Sequence, residues 1–206
     1  MRSKDVERTS LARLVLGLAT LLWLVATPPR EATAHLGQAG DTPNGSDRAH
    51  VTIERAPPPV FIQIDAAGVN GPVETREIVD GTLAAPSGPW VAAWYRQSAR
   101  PGELGNVVMG GHVDYWNVGP AIFAGLGTLN EGEEIEVTDA AGNAYDYAVK
   151  WVRTYPVADI TPDQLRQIVG PTDDPSLTLI TCSGDFDRNR GEYLMRLVVR
   201  AVRVER

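Results

Sequence analysis

A chain of 206 residues with 43% hydrophobic side chains has the composition of an ordinary globular protein and exceeds what one domain needs, so one folded domain with appendages is expected. The formal net charge of -7, with no run of clustered Lys and Arg beyond the N-terminus, argues against a nucleic-acid partner, which would demand phosphate neutralisation. A single cysteine, Cys182, excludes an intrachain disulfide and leaves three uses for the thiol: reaction, packing or an intermolecular bridge.

In chain order, residues 14–27 carry no charge and follow Arg2, Lys4, Arg8 and Arg13, against only Asp5 and Glu7. This is the pattern of an export segment with a positive start. Fourteen apolar residues suit a signal-peptide core, while Ser10 to Ala12 and a snorkelling Arg13 extend the stretch towards the about 20 residues that span a bilayer. Residues 1–27 are therefore expected to form a cytoplasmic stub and a single-pass membrane anchor or signal segment, with the following domain outside the cell. Ala32-Thr33-Ala34 offers the alternative of cleavage and secretion. Residues 28–50 turn to Pro, Gly, Ala, Thr, Asn and Asp and read as a flexible linker.

Residues 51–206 read as the folded domain, mainly β. Val60–Ile64, Trp90–Tyr95, Asn106–Met109 and Glu134–Thr138 have strand length and are separated by Gly/Pro/Asn/Asp clusters. Residues 139–143 turn the chain into an alternating strand over residues 144–152, making a hairpin. A short helix is marked by Thr161 as cap, Pro162 in the first turn, Gln164 closing a capping box and Gly170 as the stop. A second short helix is expected from Pro120 to Leu126, and strands resume at Leu177–Thr181 and Leu197–Val204. Many short strands with one or two short helices predict a closed or nearly closed antiparallel barrel.

Chemistry gathers at three strand ends. His112 follows Gly110-Gly111 where a strand opens into a loop, Cys182 ends the strand Leu177–Thr181, and Arg196 opens the last strand. Taken singly, each has a plain reading: a hydrogen-bonded loop histidine, a buried inert cysteine and a solvated arginine. Taken together they supply a thiol nucleophile, a proton-transfer partner and a cation for a developing oxyanion. A zinc site would need three or four ligands from a domain with one His and one Cys, and no metal or cofactor is expected. Asp173, Asp174, Asp185 and Asp187 read as solvated loop charge rather than a calcium site.

These segments resemble the sortase family. Gly110-Gly111-His112-Val113-Asp114 resembles its histidine motif, Thr178-Leu179-Ile180-Thr181-Cys182 its cysteine strand, and Arg196-Leu197-Val198-Val199 its arginine strand. With Ala99-Arg100-Pro101-Gly102, Gly119–Phe123 and Asp185-Phe186-Asp187, the likeness over residues 55 to 204 is to the class E and F sortases of high-GC Gram-positive bacteria. The resemblance implies an eight-stranded β-barrel and a cysteine transpeptidase. Such an enzyme cleaves a Leu-Pro-x-Thr-Gly sorting signal between Thr and Gly through a thioester, then transfers the acyl group to an amine of a cell-wall precursor or pilin. It implies Cys182 as nucleophile, His112 as acid and base, and Arg196 as oxyanion and backbone holder, with Thr181, Ser183 and Asp114 as candidate substrate contacts. One departure is that many class F members carry Asp-Asn where this chain has Met195-Arg196, so Arg190 in the preceding loop is the alternative arginine. Two further alternatives stand beside this reading: an exported β-barrel interaction module with an incidental thiol, and a sortase-like hydrolase.

Overall fold

The computed structural model describes residues 55–205. The expected membrane or signal segment, the linker and the cleavage triplet at Ala32 to Ala34 lie outside the described residues. Among the described residues no helix is long and apolar enough to cross a membrane.

Eight strands close a barrel: β1 (Pro59–Ile64), β2 (Val69–Arg76), β3 (Ala92–Tyr95), β4 (Asn106–Gly110), β5 (Glu134–Asp139), β6 (Ala144–Pro156), β7 (Ser176–Asp187) and β8 (Glu192–Arg203). Their order around the barrel is β1-β2-β3-β4-β7-β8-β6-β5. Closure pairs every strand on both sides and removes the edges that would otherwise invite association. The barrel is not purely antiparallel as expected, because β2 pairs β3 and β4 pairs β7 in parallel. Parallel neighbours need a crossover, and the β6-to-β7 connection contains the one α-helix among the described residues, α1 (Pro162–Val169).

Alternation sorts the side chains into two layers. Ile62, Ile64, Val107, Met109, Ile135, Val137, Leu177, Leu179, Val199 and Ala201 point into the barrel with Phe123 and Tyr147 and form its core. Each fully buried aliphatic or aromatic side chain contributes about 1.5–3 kcal/mol before entropy is charged against it. The opposite faces of β3, β4 and β7 carry a second cluster of Ala93, Tyr95 and Val108, against which Ile78, Leu83, Val169 and Ile180 pack. This outer cluster is covered by α1 and a two-stranded ribbon, Ile78–Val79 with Thr82–Leu83.

The helix begins as its sequence predicts. Thr161 accepts from the Gln164 N–H at 3.2 Å, and the Gln164 side chain accepts from the Thr161 N–H at 3.0 Å, closing the capping box. Its far end is partly buried at Ile168, so the last carbonyls need partners. Asn106 of β4 donates to the carbonyls of Ile168 and Gly170, Thr178 of β7 donates to Asn106 and Ile168, and Arg200 of β8 donates to Gln167 and Ile168. Three strands thus hold one helix end in place.

Two expectations fail locally. No α-helix spans Pro120 to Leu126: Gly119–Pro120 pairs with Asp114–Tyr115 in a second small ribbon, and a single 3-10 turn follows at Leu126–Thr128. Gly125 and Gly127 and the seating of Phe123 in the core favour tight turns over a continuous helix. The strand β2 was not foreseen, since Gly71 and Pro72 interrupt its pattern. Here Gly71 is needed for close approach, because a Cβ would lie 2.8 Å from both the Ile122 Cδ1 and the Trp90 carbonyl oxygen.

Candidate active site

The parallel pairing of β4 with β7 runs from Asn106 opposite Ser176 to Gly110 opposite Ile180. It continues as the Gly111 N–H donates to the Ile180 carbonyl at 3.1 Å and the Thr181 hydroxyl donates to the Gly111 carbonyl at 2.8 Å. His112 therefore leaves β4 at the level where Cys182 sits on β7. On the other flank, the antiparallel register sets Cys182 opposite Arg196 of β8. Cys182 and Arg196 thus face each other on neighbouring strands, and His112 follows two residues past the end of the other neighbour, β4.

Local backbone explains why the chain can do this. A side chain at Gly110 would collide with the Tyr95 hydroxyl, and one at Gly111 with the Phe123 ring. The histidine loop can consequently lie flat on the barrel end only behind two glycines. The His112 carbonyl then accepts from the Phe123 N–H at 3.0 Å, tying the loop to the core. Just past Cys182, Gly184 adopts a left-handed φ of 73° and the β7/β8 register shifts between Ser183 and Phe186. That bulge interrupts the pairing just beyond the thiol, before it resumes with Phe186 opposite Tyr193.

Cys182 is a free, half-buried thiol. Burial pushes its pKa up, the Arg196 guanidinium pulls it down, and the Asp114 carboxylate pushes it up again. Raised from an ordinary value that already lies above neutrality, the group is mainly thiol at pH 7. The His112 ring packs edge-on against Tyr115, with centroids 5.3 Å apart, and its Nε2 lies 3.4 Å from the Pro86 carbonyl oxygen. Arg196 is half-buried; its Nη1 donates to the carbonyls of Tyr193 and Met195, each at 3.0 Å, and it forms no ion pair among the described residues. Arg190, the alternative arginine, is exposed and paired with Glu192 at 2.6 Å.

The remaining candidates separate. Thr181 is buried and its hydroxyl serves the Gly111 carbonyl, so it positions the two motif strands. The Ser183 hydroxyl is buried without a hydrogen-bond partner among the described residues. Asp114 is exposed and accepts from the Tyr193 hydroxyl at 2.5 Å. That bond, followed by burial, pushes the Tyr193 phenol up to about 12. Sequence reasoning missed Tyr193; it belongs to no motif, and only the β7/β8 register brings it towards the histidine loop. Among the described residues no group of three or more His, Cys, Asp or Glu side chains is placed to hold a metal ion.

Two clefts carry residues of this constellation. One, about 350 Å³, is apolar: Leu83, Ile160, Leu165, Ile168, Ile180 and Val198 lead along α1 to Arg196. The other, about 690 Å³, is aromatic and lined by Asp114, Tyr115, Trp116, Phe186, Arg188 and Tyr193. A thiol with a guanidinium opposite it on one neighbouring strand and an imidazole in the loop that leaves the other is an arrangement suited to acyl transfer.

Comparison with known proteins agrees with this class of fold. The chain matches the sortase domain over residues 62–204 and belongs to the sortase family, a family of cysteine transpeptidases. Among solved structures, a lid mutant of sortase A from Corynebacterium diphtheriae superposes with a TM-score of 0.56 at 23% identity, covering 75% of this chain and 74% of that one. Sortase C1 from Streptococcus agalactiae gives 0.53 at 22% identity, with coverage of 71% and 67%. A sortase D5 transpeptidase from Clostridium perfringens gives 0.51 at 20% identity, with coverage of 74% and 83%. At these identities the likeness is one of fold. No curated protein matches the chain in sequence.

Proposed function

We propose that this sortase is a membrane-anchored class E or F enzyme. It cleaves a Leu-Pro-x-Thr-Gly-like signal of exported surface proteins between Thr and Gly, and joins the new acyl end to an amine of a cell-wall precursor or pilin. The observation that carries the reading is the register that sets Cys182 opposite Arg196, which also lines an apolar groove, and brings the strand leading to His112 alongside the cysteine strand.

In this reading the Leu-Pro part of the signal lies in the groove along α1. The Cys182 thiolate attacks the threonine carbonyl carbon, and Arg196 stabilises the oxyanion with a permanently charged planar fork. His112, as imidazolium, protonates the departing glycine amine; as imidazole it then takes a proton from the incoming amine. Collapse of the second tetrahedral intermediate breaks the carbon–sulfur bond and returns the Cys182 thiolate with His112 again as imidazolium. Water is the slower default acceptor. The class assignment is supported by the Ala99–Gly102, Gly119–Phe123 and Asp185–Asp187 segments, and the anchoring by the uncharged stretch at residues 14–27.

The raised thiol pKa leaves little thiolate at neutral pH, and the reaction needs a proton donor as well as a thiolate, so the account expects a bell-shaped rate profile. A rate that stays flat between about pH 5 and 9 contradicts it. The direct test is a thiol-reactive Leu-Pro-x-Thr mimic. Covalent labelling that disappears in Cys182→Ala supports the enzyme, and a folded protein that takes no label overturns it.

A further inference from the structure

Arg200 of β8 is 6% exposed and forms no ion pair among the described residues. Its Nη2 donates to the Gln167 and Ile168 carbonyls at 2.8 and 2.9 Å, while its Nε is buried without a hydrogen-bond partner among the described residues. Two carbonyl oxygens supply partial charge only, so the desolvation of a full cation is incompletely offset. Burial, opposed in part by Tyr155, accordingly holds the guanidinium pKa below its ordinary value. The Trp151 ring, whose centroid is 5.7 Å from the guanidinium carbon, adds a weak attraction and no counter-charge. A buried guanidinium in this condition has capacity for an anion.

The surroundings are shaped to admit one. Val199 and Ala201 point into the barrel, so Arg200 between them points out of it, into a cleft of about 370 Å³ beside the end of α1. Strand β6 contributes two consecutive residues to the same cleft, Lys150 and Trp151, although strict alternation would send them to opposite faces. A bulge explains this: the β6/β8 register shifts between Val149, opposite Ala201, and Trp151, opposite Arg200. Lys150 is the extra residue, re-aimed to the side of Arg200. It is exposed and forms no ion pair among the described residues. Two cations thus face one cleft, and Trp151, Pro171 and Val202 make its apolar wall. The exposed Asp173 and Asp174 also line it and pair with neither cation.

We propose that this cleft binds a small organic monocarboxylate, with the carboxylate held between Arg200 and Lys150 and the apolar body against Trp151. A planar carboxylate matches a guanidinium edge in both shape and charge. Two cations and two carboxylates around the cleft leave little net field, so binding depends on contact at Arg200. Contact attraction grows in proportion to the ligand's charge, whereas the cost of desolvating it grows with the square, which favours a monoanion over a dianionic phosphate monoester. The cleft shares no lining residue with the apolar groove or the aromatic cleft, so this site stands apart from the transpeptidase reading.

The test uses the full-length chain in detergent, with binding followed by saturation-transfer difference NMR. The probes are benzoate, benzamide and phenyl phosphate, which share a ring and differ in charge. Benzoate should bind at least about fivefold more tightly than either of the others. Arg200→Gln should weaken benzoate about tenfold, and its thermal midpoint is measured alongside because it also loses the bonds to α1. Lys150→Gln, on an exposed bulge, should weaken benzoate about threefold at unchanged stability, and it decides the matter if Arg200→Gln unfolds. Arg153→Gln should leave binding within about twofold of the parent, since Arg153 stacks on Trp151 at 4.6 Å but does not line the cleft. Equal binding of benzoate and benzamide, tighter binding of phenyl phosphate, or equal losses in Lys150→Gln and Arg153→Gln each overturns the proposal. So does the absence of saturation transfer to benzoate at about 10 mM. Peptide cleavage by the same preparations tests the transpeptidase reading separately.

Discussion

Asp139 and Cys182 sit at opposite ends of one barrel and are treated in opposite ways. The registers place Asp139 at the end where β5 meets the start of β6 and the last residues of β8, while Cys182 pairs with Arg196, which in turn faces Tyr155 at the far end of β6. Asp139 is 1% exposed and accepts from the N–H groups of Ala141 and Asn143, the Asn143 side-chain amide and the Tyr145 hydroxyl, all within 3.0 Å. Burial alone would raise its pKa, and these hydrogen bonds outweigh burial and lower it. Cys182, by contrast, has a free thiol flanked by charges of both signs, one favouring and one opposing its ionisation. A structural end satisfies every valence of its buried group. A reactive end leaves capacity for a substrate to complete.

If this contrast is right, substitutions at the two ends separate activity from stability. Cys182→Ala should lose all acyl-enzyme formation, seen by intact mass, while its thermal midpoint stays close to the parent's because no hydrogen bond is removed. Arg196→Ala should lower the acylation rate about a hundredfold, and Arg190→Ala should change it less than about twofold, because one faces Cys182 and the other is paired in solvent. The reverse ranking would move the oxyanion role to the loop. At the other end, Asp139→Ala should cost about 2–3 kcal/mol in denaturant unfolding with little change in rate per folded molecule. The sign of its pH dependence follows from the lowered pKa. The carboxylate contributes stability that is fully present above its unfolded value and is lost as pH falls through the lower folded value, so parent and variant should converge in acid. The smallest effect is expected from Asp114→Asn. Removing a charge that opposes the thiolate should move the midpoint of Cys182 alkylation to lower pH, whereas an upward move would show that Asp114 acts through the Tyr193 bond instead.

How far the sequence disclosed these ends depended on whether the information was local. The capping box of α1, the Glu134-to-Val152 hairpin and the glycine pair before His112 are short-range patterns, and each was legible because neighbouring residues determine it. The partners that hold the end of α1 come from Asn106, Thr178 and Arg200 on three strands, a relation set by long-range strand pairing and invisible to periodicity. For the same reason β2 was missed: Gly71 and Pro72 look like a turn until Ile122 and Trp90 are seen pressing on the chain. Within the site, His112, Cys182 and Arg196 could be named from their motifs, and the register sets Arg196 opposite Cys182 while Arg190 is paired with Glu192. The Tyr193–Asp114 bond could not be named, and the loop from Asp114 to Val118 could be read either as a wall of the substrate site or as barrel packing, because its aromatic residues resemble core residues in composition and differ from them only in exposure.

The central claim is that Cys182 carries the acyl group. Incubating the purified chain with a Leu-Pro-x-Thr-Gly peptide in the absence of amine, followed by quenching in acid and intact-mass and peptide mapping, tests it most directly. The account predicts an adduct of the Leu-Pro-x-Thr fragment on Cys182, removable by hydroxylamine and absent from Cys182→Ala. Cleavage of the peptide by Cys182→Ala at the parent rate, with no adduct in either protein, would contradict it.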